Sequence, residues 1–178
     1  MILGAVLAGG RSSRFGSDKA LAVLDDLTLL ERAVERLRSL CDVVVVVGRT
    51  EAPADTLPDW PAPGGGPLTG LAAALRHAEA RDYASVLSCG VDSIGLPDDL
   101  LERLSPPPRF VAAQPVVGLW PASAATAIAD LLMSDRKHSM KALAQLVGAT
   151  GITLPEGLAN VNTPSDLAAL REAARTGK

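Results

Sequence analysis

Apolar residues along this chain fall into short unbroken runs, separated by stretches whose apolar positions recur with helical period. Ile2–Leu7 is such a run, ending on glycines, and reads as a buried strand. Leu29–Leu40 (LLERAVERLRSL) places charges between apolar residues at helical spacing, which predicts an amphipathic helix with Thr28 as N-cap. Asp42–Val47 (DVVVVV) is β-branched and almost wholly apolar, the pattern of a strand covered on both faces. Glu51–Gly66 is rich in Pro and Gly without any period and reads as a loop. Leu68–Arg81 reads as a helix and Ala84–Ser88 as a third strand. Beyond them, Asp98–Leu104 predicts a short helix, and Phe110–Ala113 and Val116–Trp120 short strands. Ala122–Met133 and Lys137–Val147 read as helices, Ile152–Leu154 as a strand, and Pro164–Ala174 as a final helix with Thr163 or Asn162 near its cap.

Apolar strands alternating with helices predict an α/β fold with a mostly parallel sheet. Ligands of such sheets bind beyond the carboxyl ends of the strands. The loops after Leu7, Val47 and Ser88 should therefore face one crevice. No repeat of solenoid length is present.

Composition narrows the picture. A chain of 178 residues reads as one domain, 1–178. Hydrophobic residues make up 48% and aromatics only 3%, so the core is built of Val, Leu, Ile and Ala. A net charge of −3 argues against non-specific binding to nucleic acid, and the scarcity of aromatics argues against single strands. Cys41 and Cys89 lie far apart without metal-ligand spacing and read as reduced, buried thiols, consistent with a cytoplasmic protein. The opening MILGAVLAGG is too short for a membrane span and has no basic residue ahead of its apolar run.

The stretch VLAGGRSSRFGSDKAL combines glycine and positive charge in one loop. Gly9 and Gly10 let the backbone approach a ligand closely and point successive N–H groups into a concave anion site. Arg11, Arg14 and Lys19 would surround that site with charge, and a triphosphate is the natural guest. The alternative is a solvated Gly/Ser loop, since the stretch matches neither GxGxxG nor GxxxxGK[ST]. Asp92, beyond the third strand, is either a carboxylate for a metal ion or a turn residue ahead of Pro97. His77 and His138 read as surface or structural residues. Trp60 and Trp120 either stack on a ligand ring or pack in the core or at its rim.

Leu7-Ala8-Gly9-Gly10, Arg14 before Phe15-Gly16, and Asp18-Lys19 together resemble the LAGGxSxRMGxDK signature of the molybdenum cofactor guanylyltransferases, with Phe15 where Met is commoner. Gly66-Pro67-Leu68-Thr69-Gly70-Leu71 resembles that family's GPLAGL. Asp92 resembles its CDxPxLP acid, and Asn160–Leu167 (NVNTPSDL) its NVNTPEDL. The resemblance covers almost the whole chain. It implies a three-layer, Rossmann-like nucleotidyltransferase fold and transfer of GMP from GTP to the terminal phosphate of molybdopterin, with or without its molybdenum, releasing pyrophosphate. It further implies Mg²⁺ held by Asp92, and Arg14, Lys19 and Asp92 as catalytic residues. GTP would meet Leu7, Ala8, Gly9, Gly10, Lys19, Asp59 and Asp92. The resemblance also allows transient contact with other molybdenum cofactor proteins.

Asp59 stands where the family carries an acid that contacts the nucleotide, and a carboxylate can accept hydrogen bonds from the guanine N1 and N2 edge. Its alternative is a plain loop aspartate. Asn160 and Asn162 either contact the pterin or serve turn and cap chemistry. Related cytidylyltransferases read LAAG, so Gly9-Gly10 favours guanine. Three departures stand out: no proline follows the acid, the stretch before Gln114-Pro115 is short, and Val46 occupies the place of a family asparagine. The competing functions are a CTP-dependent molybdopterin cytidylyltransferase or another small-phosphate nucleotidyltransferase, and a nucleotide-binding regulatory module without catalysis.

Overall fold

Five consecutive valines, Val43–Val47, form a strand one place in from the edge of the sheet, the last four of them buried, because β-branched side chains fit a pleated surface covered on both sides. The computed structural model describes residues 1–10, 15, 18–155 and 157–176. In chain order they form β1 (Ile2–Leu7), a 3₁₀ turn (Lys19–Leu21), β2 (Val23–Leu24), β3 (Leu27–Thr28), α1 (Leu29–Arg38) and β4 (Val43–Val47). β5 (Asp55–Leu57), α2 (Pro67–Ala80), β6 (Ser85–Gly90), β7 (Ser93–Ile94), α3 (Leu100–Leu104) and β8 (Arg109–Val111) follow. β9 (Gln114–Pro121), α4 (Ala124–Leu132), α5 (Met140–Leu146), β10 (Thr150–Ile152), β11 (Ala159–Asn160) and α6 (Pro164–Thr176) complete the chain.

Seven strands share one sheet in the order β10-β8-β9-β6-β1-β4-β5. All neighbours run parallel except those of β9, which is antiparallel to both β6 and β8. The turn Ala112-Ala113 between β8 and β9 is too short for a crossover, so that pair must be antiparallel. Alternation along the strands divides the core into two. Leu3, Ala5, Leu7, Val45 and Val47 pack with α2, α4 and α5 on one face. Val6, Ala8, Val44 and Val46 pack with α1 and α3 on the other. The predicted three-layer α/β architecture with a mostly parallel sheet is what the chain adopts.

Local signals act as expected at α1. Thr28 Oγ1 accepts from Glu31 N–H at 3.1 Å, and Glu31 Oε2 accepts from Thr28 N–H at 2.8 Å, a closed capping box. α2 starts on Pro67, whose fixed φ suits a first helical position and whose missing N–H costs nothing there.

The segment 51–66 is not wholly a loop. Asp55–Leu57 pairs with Val45–Val47 as the parallel edge strand β5. Three half-exposed residues between Pro53 and Pro58 are too few to show a period, so only pairing to β4 reveals them. The small ribbons β2–β3 and β7–β11 escape sequence reading for the same reason. The strand expected at Ile152–Leu154 lies at Thr150–Ile152, with Leu154 turned into the core. No helix among the described residues is long and apolar enough to cross a membrane.

Candidate active site

The parallel strands β1, β4 and β6 end side by side, and register places Leu7 between Val47 and Gly90. The loops beyond them and the N-terminus of α2 enclose a cleft of about 200 Å³. Gly9 and Gly10 form one wall, Gly66, Pro67 and Gly70 another, and Asp59 and Asp92 face in from two sides. The side chains of Leu7 and Ala8 belong to the cores on opposite sheet faces. What Ala8 can offer a ligand is therefore backbone.

Lys19 Nζ donates to Asp92 Oδ2 at 2.8 Å, and both side chains are largely buried, at 14% and 22% exposure. The pair joins the loop after β1 to the loop after β6. Lys19 sits on the 3₁₀ turn, which Asp18 caps by accepting from Ala20 N–H at 3.1 Å. Asp18 in turn accepts two bonds from Arg49, at 3.1 Å from Nη1 and 2.7 Å from Nη2. These bonds hold the Asp18 carboxyl below the usual aspartate range, against a smaller opposing effect of burial. Asp18 thus supports the turn that presents Lys19.

Asp59 follows β5 and lies beneath the glycine loop. A Cβ on Gly9 would stand 2.8 Å from Asp59 Oδ2, so any side chain there would push the carboxylate aside. Gly48, at φ 87°, brings its backbone against Gly9 so closely that a Cβ would lie 2.5 Å from the Gly9 Cα. The requirement for glycine at both positions is the close approach of two loops around one carboxylate. Burial pushes the Asp59 carboxyl up, partly offset by a hydrogen bond from the Gly64 N–H. A second hollow of about 610 Å³, lined by Arg49, Thr56, Pro58 and Asp59 among others, opens on the far side of this carboxylate.

The segment carrying Asn160 and Asn162 runs beside Asp92. Val161 N–H donates to the Asp92 carbonyl at 3.2 Å, and Asn160 pairs with Ser93 across the β7–β11 ribbon. Val161 is fully buried with Phe15, Leu24, Leu29 and Leu167, so its neighbours Asn160 and Asn162 are left exposed. Phe15 therefore acts as an apolar anchor, a role that Met could equally fill. The cap of α6 belongs to Thr163 and Asp166: Asp166 N–H donates to Thr163 Oγ1 at 3.2 Å, and Asp166 Oδ2 accepts from the N–H groups of Asn162 and Thr163, both at 2.8 Å. Asn162 contributes backbone to this cap. Gln114, buried at the start of β9, accepts from Ser93 Oγ at 3.1 Å and donates to the Leu158 carbonyl at 3.1 Å, fixing the ribbon to the sheet.

Gly9, Gly10, Asp59 and Asp92 thus gather at one cleft, with Lys19 bonded to Asp92 and Asn160 and Asn162 on the segment bonded to Asp92. Arg11 and Arg14 lie outside the described residues. Val46 is a fully buried strand residue, so the family asparagine's place is closed to a ligand. Trp120 packs in the core, its Nε1 donating to Ser88 Oγ at 3.0 Å and its ring stacked on Phe110. Trp60 sits under the Arg76 guanidinium, 4.3 Å from the ring centre. His77 lies on α2, and His138 contacts the Ser134 carbonyl at 2.9 Å. Burial raises the thiols of both cysteines, that of Cys41 to about 12, which makes them poor nucleophiles. Arg49 is the site residue that sequence reading missed, because its partner lies 31 residues away.

Among the described residues no cluster of three or more Asp, Glu, His or Cys could hold a metal ion alone. One carboxylate at a strand end suits a hard cation whose other ligands are water and phosphate oxygens, which is the usual coordination of Mg²⁺. Asp92 fits that demand.

Residues 4–153 match the family model of the MobA-like NTP transferase domain. The chain is 34% identical to the molybdenum cofactor guanylyltransferase of Rhizobium johnstonii, over 93% of this chain and 90% of that one. It is similar in fold to molybdopterin-guanine dinucleotide biosynthesis protein A of Archaeoglobus fulgidus, with a TM-score of 0.77 at 20% identity, covering 99% of this chain and 100% of that one. A Mycobacterium tuberculosis protein solved in complex with manganese also shares the fold, with a TM-score of 0.64 at 20% identity over 97% of this chain and 98% of that one.

Proposed function

Because the chain belongs to the MobA-like NTP transferase family, we propose that it is a molybdenum cofactor guanylyltransferase working as one nucleotidyltransferase domain in the cytoplasm. It moves GMP from GTP to the terminal phosphate of molybdopterin and releases pyrophosphate. The observation that carries this reading is the Lys19–Asp92 pair, 2.8 Å apart, set at the strand ends beside the Gly9-Gly10 loop.

The chemistry asks for positioning more than for acid–base work. An oxygen of the acceptor phosphate attacks the α-phosphorus of GTP. The new P–O bond forms as the bond to the bridging oxygen breaks, and that oxygen leaves with the pyrophosphate. A phosphate monoester has its second pKa near about 6, so the nucleophile is already anionic and needs no strong base. The barrier lies in bringing two polyanions together. Lys19, joined by Arg14, neutralises the phosphate chain and the charge that develops on pyrophosphate. Asp92 is the residue that holds Mg²⁺, which bound there lowers the charge repulsion between the phosphates.

The N–H groups of Gly9 and Gly10 cradle the nucleotide. Asp59 accepts from guanine N1 and N2, donors that cytosine lacks at those positions. Its half-buried carboxylate favours a partner that offers it donors, because leaving its remaining acceptors unmatched is costly.

Nucleotide binding tests the reading directly. GTP with Mg²⁺ at about a hundredfold its Kd should raise the melting temperature by roughly 5–10 °C, more than equal CTP or ATP. A larger shift with CTP would instead favour the cytidylyltransferase. Binding of GTP without any dinucleotide product would point to a regulatory module.

The acceptor side has its own test. Asn160 and Asn162 are exposed on the segment bonded to the Asp92 carbonyl, which supports a role for them in meeting molybdopterin. Because Thr163 and Asp166 close the helix cap, Asn162→Ala should change stability by no more than about 0.5 kcal/mol. GTP affinity should stay as it was while dinucleotide formation falls about tenfold or more. Normal dinucleotide formation by this variant would remove Asn162 from the substrate site.

A further inference from the structure

We propose that Arg49 is a positioning residue for GMP transfer, fixing Lys19 through Asp18. The proposal rests on the assignment of Lys19 to the phosphates. Lys19 reaches Asp92 with a four-carbon side chain, so the place of its ammonium depends on where its backbone turn is held. That turn has two ties of its own, Leu21 N–H to the Asp18 carbonyl and Ala22 N–H to the Lys19 carbonyl, both at 3.1 Å. They shape the turn, while Leu29 N–H to the Ala22 carbonyl at 2.9 Å and the buried Ala20 hold it against α1 and the core. Asp18 adds a tie to the end of β4 through its side chain. One carboxylate oxygen, Oδ1, caps the turn, and both oxygens meet the Arg49 fork.

Arg49 is itself well anchored. It follows Val47 and Gly48 at the end of β4, where Gly48 N–H donates to the Leu57 carbonyl at 2.9 Å and Ala8 N–H donates to the Val47 carbonyl at 2.9 Å. Its side chain is only 20% exposed. A guanidinium is planar and offers two parallel N–H groups, so it fixes the direction of a carboxylate as well as its distance. The result is a chain of contacts across three loops: β4 to Arg49, Arg49 to Asp18, Asp18 to the turn, and Lys19 to Asp92 on the loop of β6. A shift of about 1 Å in a positioned group can cost on the order of a hundredfold in rate, so this linkage is expected to matter for turnover.

Arg49 also borders the hollow beyond Asp59, so it could touch nucleotide directly instead. The two roles give different mutant behaviour. If Arg49 acts through Asp18 and Lys19, Arg49→Gln and Asp18→Asn should each lower transfer by about tenfold to a hundredfold. The double variant should lose no more than either alone. Arg49→Lys should recover only part, because an ammonium makes a single-point contact. In a Lys19→Ala background, Arg49→Gln should add no further loss, either in single-turnover transfer or in GTP·Mg²⁺ affinity.

Losses that multiply with Lys19→Ala, or a normal Asp18→Asn beside a crippled Arg49→Gln, would overturn the proposal and make Arg49 a direct contact. Normal transfer by folded Arg49→Gln, with Lys19→Ala impaired, would overturn it while leaving the Lys19 assignment standing. Full transfer by Lys19→Ala would overturn that assignment and this inference together. Melting temperatures of every variant separate these outcomes from simple loss of folded protein.

Discussion

Asp92→Ala is expected to lower GMP transfer by on the order of a thousandfold while the protein stays folded. If Asp92 holds the metal as proposed, its loss would remove several kcal/mol of charge stabilisation, and each ~1.4 kcal/mol is a factor of ten in rate. The fold should persist because the Asp92 carbonyl, which accepts from Val161 N–H, survives truncation of the side chain, while the bond that is lost, from Lys19 to Asp92 Oδ2, joins two loops at the strand ends and not the core. Asp92→Asn, which keeps shape but not charge, should fail nearly as badly. Turnover and melting temperature measured on both variants decide the matter. Equal turnover by wild type and Asp92→Ala with Mg²⁺ present would end the metal assignment.

Lys19→Ala is expected to cost about a hundredfold to a thousandfold in turnover, the usual loss when one preorganised donor to developing charge is removed. It should also weaken GTP, because phosphate oxygens carry charge before and during the reaction. That is how it differs from a purely transition-state contact, whose loss leaves binding unchanged. The low exposure of Lys19, 14%, and its bond to Asp92 hold the ammonium beside a carboxylate that lines the cleft and largely shield it from solvent, where screening is weaker. Lys19→Arg should recover a fraction, since a guanidinium is wider and flat. Single-turnover rates and GTP affinity measure both effects, and an unchanged pair of values would mark Lys19 as a plain loop residue.

Much of the scaffold was legible in the sequence. β1, β4 and β6 appeared as apolar runs, α1 and α2 as helical periods, and Thr28 as the cap that closes a box with Glu31. Where periodicity needs more residues than an element has, as in Asp55–Leu57, nothing local distinguishes a strand from a loop. Pairing with β4 creates that strand. Asp59 was singled out because it stands where the family carries an acid, but its close approach to Gly9 could not be read, because it depends on two loops meeting. The tryptophans show the same limit: an indole in the sequence fits a ligand ring or a core equally well, and packing against Phe110 decided for Trp120.

The sequence by itself determined the α/β class, the order of the main strands and helices, and the loop rich in glycine and positive charge. Those are local properties: side-chain period, β-branching, capping and backbone freedom act over a few neighbouring residues. The tertiary structure alone decided that Lys19 meets Asp92 across 73 residues of chain and that Arg49 grips Asp18 across 31. It also decided that Val161 is tied to Asp92 and that Thr163, not Asn162, lends its side chain to the last helix's cap. Such contacts arise because parallel strands bring their carboxyl ends to one edge. Crossover helices carry the chain away and back, so residues remote in sequence become neighbours there, and no local pattern encodes which of them touch.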